Sequence, residues 1–98
     1  MNDTQIRERI ALLYLSLQFC SEQSRTFTTG ERICINQERF QLLYKLSNSE
    51  AEPRPVSAMI EHKIQETLKL IAIYNYTPTN QDPLDYDKPE TDLIHGTN

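Results

Sequence analysis

The strongest pattern in the sequence is an apolar stripe with helical spacing between Pro55 and Tyr76. Pro55 suits a first helical position, and Asn75 followed by Pro78 is typical of a helix end. About 20 helical residues extend over about 30 Å, which is the width of a small domain. The stripe recurs every three or four residues, the period of one helix face, through Val56, Ile60, Ile64, Leu68 and Ile71.

The length of the chain bounds its organisation. A sequence of 98 residues holds one domain with one modest core. It has no run of about 18 apolar residues, so we expect no membrane-spanning segment and no membrane partner. The start, Met1 to Gln5, lacks the basic segment that opens a secretion signal. We therefore expect a cytoplasmic protein with a single helical domain over residues 1–76.

Charge separates the last part of the chain from the rest. Residues 1–76 carry nine Lys/Arg and nine Asp/Glu, whereas residues 77–98 carry five acids and one lysine. The latter segment also contains three prolines and few apolar side chains, so burial cannot offset the entropy lost on ordering. We expect residues 77–98 to form a disordered acidic C-terminal tail.

A first helix is predicted from Asn2 or Asp3, both good N-caps, to about Phe19 or Cys20. Its segment Ile10–Leu15 is apolar on every side, which is typical of a helix that is covered all round. Two arrangements satisfy this pattern. Either this helix is the central one of the bundle, or part of its surface contacts a second subunit.

The segment Thr26–Ile35 alternates in polarity and is rich in β-branched and aromatic residues, with Gly30 at a turn position. These features predict a short β-hairpin. Asn36 is then a good N-cap for a second helix that ends near Ser47. The apolar face predicted for this helix contains Phe40, Leu43, Tyr44 and Leu46, with Leu42 at its edge. The predicted fold is mainly α, a small three-helix domain with a short β-hairpin between helices one and two.

The sequence contains no recognisable catalytic or cofactor motif. His62 lies on the polar side of the third helix and His95 lies in the tail, without HxxxH or CxxC spacing for a metal. Cys20 and Cys34 are expected to be reduced thiols on apolar faces, where thiols are inert. The two glycines of the chain cannot form a Gly-rich phosphate loop. We therefore expect a protein that is not an enzyme and holds no metal or cofactor.

The chain has more large apolar side chains than one small core needs. Helix one carries a second apolar stripe, and helix three broadens near its end. Each large apolar side chain left in water forgoes about 1.5–3 kcal/mol of burial free energy, and two-fold dimers are the commonest way to cover such a surface. The candidate interface with a second copy or another protein comprises Leu12, Leu15, Phe19, Leu70, Ile73, Tyr74 and Tyr76.

Two parts of the chain resemble known regulators. The stretch Thr26–Ser57, which contains FTTGERICINQERFQLLYKLSNSEAEPRPVS, resembles the start of a winged-helix DNA-binding domain. It departs from that pattern after Ser57, because the helical pattern continues to Tyr74 without a turn and no second wing hairpin follows. The stretches NQERFQLLYKL and IEHKIQETLKLIAIY are similar to the small all-helical biofilm and acid-stress regulators of enteric bacteria. Both resemblances imply a DNA-binding transcriptional regulator.

By elimination, the expected function is that of a small regulatory or adaptor protein that binds another protein and forms a homodimer. The alternative is a DNA-binding regulator. Its basic surface would gather Arg25, Arg32, Arg39, Lys45 and Arg54. A domain without net formal charge, followed by an acidic tail, is poorly suited to binding phosphates, so charge disfavours nucleic acid as the partner.

Overall fold

The computed structural model describes residues 1–79, which are helical for most of their length and contain no strand. The elements in chain order are α1 (Asp3–Phe19), a π-turn (Cys20–Ser24), α2 (Thr29–Ser47) and α3 (Ala58–Tyr74). The prediction of a mainly α, three-helix protein is confirmed. Each helix in residues 1–79 is too short or too polar to traverse a bilayer. The prediction of a disordered acidic tail falls almost wholly on residues 80–98, which lie outside the described part.

Helix α1 begins where the sequence predicts. The Asn2 side chain accepts a hydrogen bond from the Gln5 N–H at 2.8 Å, and the Gln5 side chain accepts one from the Asn2 N–H at 2.9 Å. This reciprocal capping box satisfies two backbone donors that the helix leaves unpaired. Both α2 and α3 pack on α1, whereas α2 and α3 scarcely approach each other. Helix α1 is therefore the central helix, and its contact with a second subunit stays a prediction.

The predicted β-hairpin at Thr26–Ile35 is wrong, because α2 already begins at Thr29. Thr28 is the N-cap: its Oγ1 accepts from the Glu31 N–H at 3.1 Å, and the Glu31 carboxylate accepts from the Thr28 N–H at 2.8 Å. The predicted cap at Asn36 lies inside the helix. The capping box gives two donors partners locally, whereas an isolated two-stranded hairpin is marginally stable in water.

Helix α3 keeps most of its predicted stripe but starts later than predicted. Ser57 is its N-cap, with Oγ accepting from the Ile60 N–H at 3.3 Å, so Pro55 lies in the preceding connection. Val56 packs on the core from that connection. The helix ends as predicted at Asn75, which adopts the left-handed conformation with φ of 52°.

The core follows the length of α1. Its main cluster joins all three helices and the segment after the π-turn, and it contains Ile6, Ile10, Leu13, Leu17, Cys20, Phe27, Ile35, Leu42, Ile60 and Ile64. The inner face of α2 differs from the prediction: Leu42 is buried, whereas Phe40 and Tyr44 are exposed. Two charged residues, Glu38 and Arg39, share the buried stripe of α2. The predicted inner face of α2 is wrong because apolar spacing does not detect the two charged residues that the true inner face contains.

Candidate protein-binding surfaces

Arg9 is the centre of an ion cluster that joins the three helices. Its Nε donates to Glu38 Oε2 of α2 at 2.8 Å, and its Nη2 donates to Glu61 Oε1 of α3 at 2.5 Å. Glu38 Oε1 also accepts from the backbone N–H of Val56 at 3.0 Å. The cluster therefore holds the two outer helices in a defined orientation on α1, and their outer surfaces with them.

Electrostatics within the Arg9 cluster favour its charged state. Burial disfavours the guanidinium charge, but the hydrogen bonds to Glu38 and Glu61 outweigh this effect and raise the pKa of Arg9. The hydrogen bond from Arg9 likewise holds the pKa of Glu61 below its usual value. Both groups thus stay ionised at neutral pH, and the bridge between α1 and α3 stays intact.

A second ion pair joins α2 directly to α3. Lys63 Nζ lies 2.8 Å from Glu31 Oε2. The hydrogen bond from Lys63, followed by that from the Thr28 backbone N–H, holds the pKa of Glu31 below its usual value. Glu31 therefore has two roles, in the capping box of α2 and in the attachment of α2 to α3.

The end of α3 packs on the end of α1 through three aromatic rings. Phe19 is fully buried, with its ring centroid 5.6 Å from that of Tyr74 and 5.2 Å from that of Tyr76. Tyr74 remains 59% exposed and the neighbouring Ile73 is 73% exposed. We call Ile73 and Tyr74 the α3-end surface. Its tyrosine packs on the buried ring of Phe19.

Tyr76 closes the junction between α3 and α1. Its hydroxyl is buried and has no hydrogen bond of standard geometry to a residue of the described part. Burial, followed by the neighbouring Glu22 carboxylate, raises the pKa of Tyr76 well above its usual value. The hydroxyl therefore stays neutral, and the Tyr76 side chain lies beside Glu22 of the π-turn.

The structure divides the predicted interface residues by exposure. The exposed members are Ile73 and Tyr74, and the half-buried members are Leu12, Leu15, Leu70 and Tyr76. Leu12 packs against the main core cluster. Phe19 has no exposed surface, so its contribution is to support Tyr74 and Tyr76. The structure thus gathers Phe19, Tyr74 and Tyr76 at one end of the molecule.

Helix α2 presents a second apolar surface, which is not part of the predicted interface. Ile33, Phe40 and Tyr44 are 53%, 42% and 58% exposed and share one side of the helix. We call these three residues the α2 stripe. The Arg39 guanidinium carbon lies 4.7 Å from the centre of the Phe40 ring, in a cation–π contact. Ile33, Phe40 and Tyr44 are seven and four residues apart, which is the spacing of one helix face. A predicted helix that began at Thr29 would have included all three.

The basic residues of the DNA-binding alternative have different environments. Arg39 is buried, and Lys45 donates to the carbonyl oxygens of Ser49 and Ala51 at 3.0 and 2.7 Å. Arg25 and Arg32 line one cavity, whereas Arg54 lines another beside Phe40. At least three of the five side chains, those of Arg32, Arg39 and Lys45, thus donate hydrogen bonds within the fold, and DNA binding stays an untested alternative.

Residues 1–79 contain no group of three His, Cys, Asp or Glu side chains arranged to hold a metal. Cys20 is buried and Cys34 is exposed, and both are free thiols. His62 is exposed, with Nε2 3.9 Å from a Glu66 oxygen. The expected absence of a cofactor stays a prediction.

Comparison with known proteins adds no assignment: no protein-family model, no curated protein and no solved structure matches the chain. The features that bear on function are therefore the α3-end surface and the α2 stripe.

Proposed function

We propose that this protein is a small non-enzymatic regulatory or adaptor protein, which acts by binding another protein and works as a homodimer. The observation that carries the proposal is the exposure of large apolar side chains in two groups, the α3-end surface and the α2 stripe. Grouped apolar exposure of this kind is typical of protein interaction sites. Tyrosine in particular is enriched among the residues that dominate binding free energy.

The two surfaces have different supports within the fold. Tyr74 of the α3-end surface rests on the buried ring of Phe19. The α2 stripe lies on a helix that Arg9 and Lys63 hold through Glu38 and Glu31. A rigid surface loses little conformational entropy on binding, so both are suited to a defined contact. We assign the α3-end surface to the two-fold contact and the α2 stripe to the other protein.

The oligomeric state of the full chain tests the two-fold contact. Sedimentation velocity of wild type at micromolar concentration is expected to show a dimer, and Ile73→Asp is expected to show a monomer with unchanged helicity. Met59→Asp is the matched control, because Met59 is a comparably exposed apolar residue at the other end of α3. It is expected to leave the dimer intact. Leu12 and Leu15 are less suitable probes because they are half-buried.

Three results would contradict the assignment. A monomeric wild type would refute the homodimer. Equal dissociation in Ile73→Asp and Met59→Asp would show a general effect of charge on α3. Loss of the dimer in Ile33→Asp alone would place the two-fold contact on the α2 stripe instead.

A further inference from the structure

A cavity of about 340 Å³ lies where the π-turn meets the start of α2. The residues around it include two arginines, three hydroxyl side chains and no carboxylate, and they are Cys20, Ser21, Arg25, Phe27, Thr28, Thr29 and Arg32. We call it the arginine cavity. Two guanidinium groups at one site favour carboxylate or phosphate groups, with which arginine forms strong hydrogen bonds.

The backbone holds the arginine cavity in shape. The Arg25 N–H donates to the Cys20 carbonyl oxygen at 2.9 Å and closes the π-turn. The Phe27 N–H donates to Cys20 Sγ at 3.4 Å. Within the first turn of α2, Arg32 Nη2 donates to Thr29 Oγ1 at 3.1 Å. The two guanidinium groups are therefore carried by segments that the fold fixes in place.

No carboxylate within residues 1–79 forms an ion pair with Arg25 or Arg32. The nearest acidic residue in the start of α2, Glu31, is paired with Lys63 on α3. The cavity consequently has positive charge that the described part of the chain leaves uncompensated. An acidic ligand would supply the missing partner.

The chain itself contains an acidic segment of matching charge. Residues 1–79 hold nine Lys/Arg and nine Asp/Glu, so their formal charge is zero. Residues 80–98 hold five acids and one lysine, for a formal charge of −4. Three of these acids follow closely after Thr79, at Asp82, Asp85 and Asp87.

The acidic segment is tethered to the same chain as the arginine cavity. Tyr76 packs edge-on against Phe19 at 5.2 Å, and Phe19 directly precedes Cys20 at the wall of the cavity. A chain spans at most about 3.3–3.6 Å per residue, so Asp82 to Asp87 can reach about 10–29 Å beyond Thr79. A ligand tethered by a short flexible linker has an effective concentration of about millimolar, so even a weak site can be occupied.

We propose that the acidic segment 82–87 of this chain docks on the arginine cavity, with its aspartates pairing with Arg25 and Arg32. Charge complementarity and the length of chain beyond Thr79 favour this segment as the occupant. Docking would place a removable acidic segment over the start of α2, beside the α2 stripe. A binding partner that displaces the segment would then have to overcome this contact.

Paramagnetic NMR on the full chain tests the docking without a new labelling site. A nitroxide on the exposed Cys34 of α2 lies within one turn of Arg32, and Cys20 is buried. The amide signals of residues 82–87 are expected to broaden strongly at about 0.01 M salt, where the Debye length is about 30 Å. They are expected to recover at about 1 M salt, where it is about 3 Å.

A control double variant removes the same amount of positive charge outside the arginine cavity. Arg25→Gln with Arg32→Gln is expected to restore the signals of residues 82–87, whereas Arg7→Gln with Arg54→Gln is expected to leave them broadened. The second pair removes the same charge from exposed positions outside the cavity. Absence of broadening at low salt, or equal recovery in both double variants, would overturn the proposal.

Two further outcomes would also overturn it. Inorganic phosphate that shifts the amide signals of Thr28 and Thr29, while residues 82–87 stay sharp, would show an anion site with another occupant. Broadening seen only when the nitroxide and the ¹⁵N label are on different chains would place the segment on a second copy.

Discussion

At the residue scale, charged side chains decide how the helices are oriented. The side chains of Arg9 and Glu38 are only 16% and 5% exposed, although both are charged. Buried charges are tolerated only when they are paired and hydrogen-bonded. Glu38 meets this condition through Arg9 and the Val56 N–H, so the buried position of a glutamate on α2 follows from a partner on α1.

Substitution of Arg9 tests the contribution of the cluster. Arg9→Ala is expected to lower the free energy of unfolding by about 3 kcal/mol, because it leaves the Glu38 carboxylate buried without its cation. Arg7→Ala is the control on the same helix, since Arg7 is exposed and two residues away. Urea denaturation at neutral pH measures both. Equal losses in the two variants would show that Arg9 does not carry the orientation of the helices.

At the element scale, a helix-capping signal decides the structure at the start of α2, although the polarity of the segment alternates as in a strand. Residues 26–35 alternate in polarity as a strand does, yet Thr28 and Glu31 form both halves of a capping box. The helix places Ile35 in the core and leaves Ile33 and Cys34 exposed. Alternation is thus an incidental property of this segment, and the cap determines its structure.

Gly30 gives a direct test of that conclusion. It lies in the first turn of α2, has no positive φ, and a Cβ there would meet only Thr28 Oγ1 at 4.0 Å. Gly30→Ala is therefore expected to stabilise the protein by up to about 1 kcal/mol, because alanine loses less backbone entropy in a helix. Thermal unfolding of the variant measures the change. A hairpin turn at Gly30 would give the opposite sign.

At the scale of the whole molecule, the outer helices are held more by their contacts with α1 and by ion pairs than by packing on each other. Both α2 and α3 pack on α1. The direct tie between them includes the pair Glu31–Lys63, and Arg9 bridges them from the centre. These ion pairs require ionised carboxylates, so the stability of the three-helix arrangement depends on pH.

The direction of the pH dependence follows from the lowered pKa of Glu61. The unfolded state binds more protons than the folded state near pH 4, so the free energy of unfolding falls as the pH drops from about 5. The stabilisation is fully present above the unfolded pKa and is lost as the pH falls through the lower folded pKa. Glu61→Gln is expected to make this fall shallower.

Denaturation midpoints measured from neutral to acidic pH check this expectation, with Glu52→Gln as the control. Glu52 is an exposed carboxylate in the connection between α2 and α3. An identical acid sensitivity in Glu61→Gln and wild type would show that the Arg9 bridge does not contribute to it.

Local signals in the sequence specify the ends of α1 and α3 and the inner face of α3. The cap at Asn2, the end at Asn75 and the inner face of α3 depend on residues three or four positions apart, and they were predicted correctly. The cap at Thr28 is equally local, but the alternating polarity of residues 26–35 predicts a strand at the same place. These features do not depend on the rest of the fold.

The orientation of α2 and the surfaces that remain exposed depend on contacts between distant parts of the chain. Glu38 is buried because its cation lies 29 positions earlier in the chain, and the Arg9 bridge to Glu61 extends over 52 positions. No local pattern specifies such a pairing. The ion pair between Arg9 and Glu38 fixes the rotation of α2 with Glu38 and Arg39 inward. In this orientation the three residues of the α2 stripe face outward.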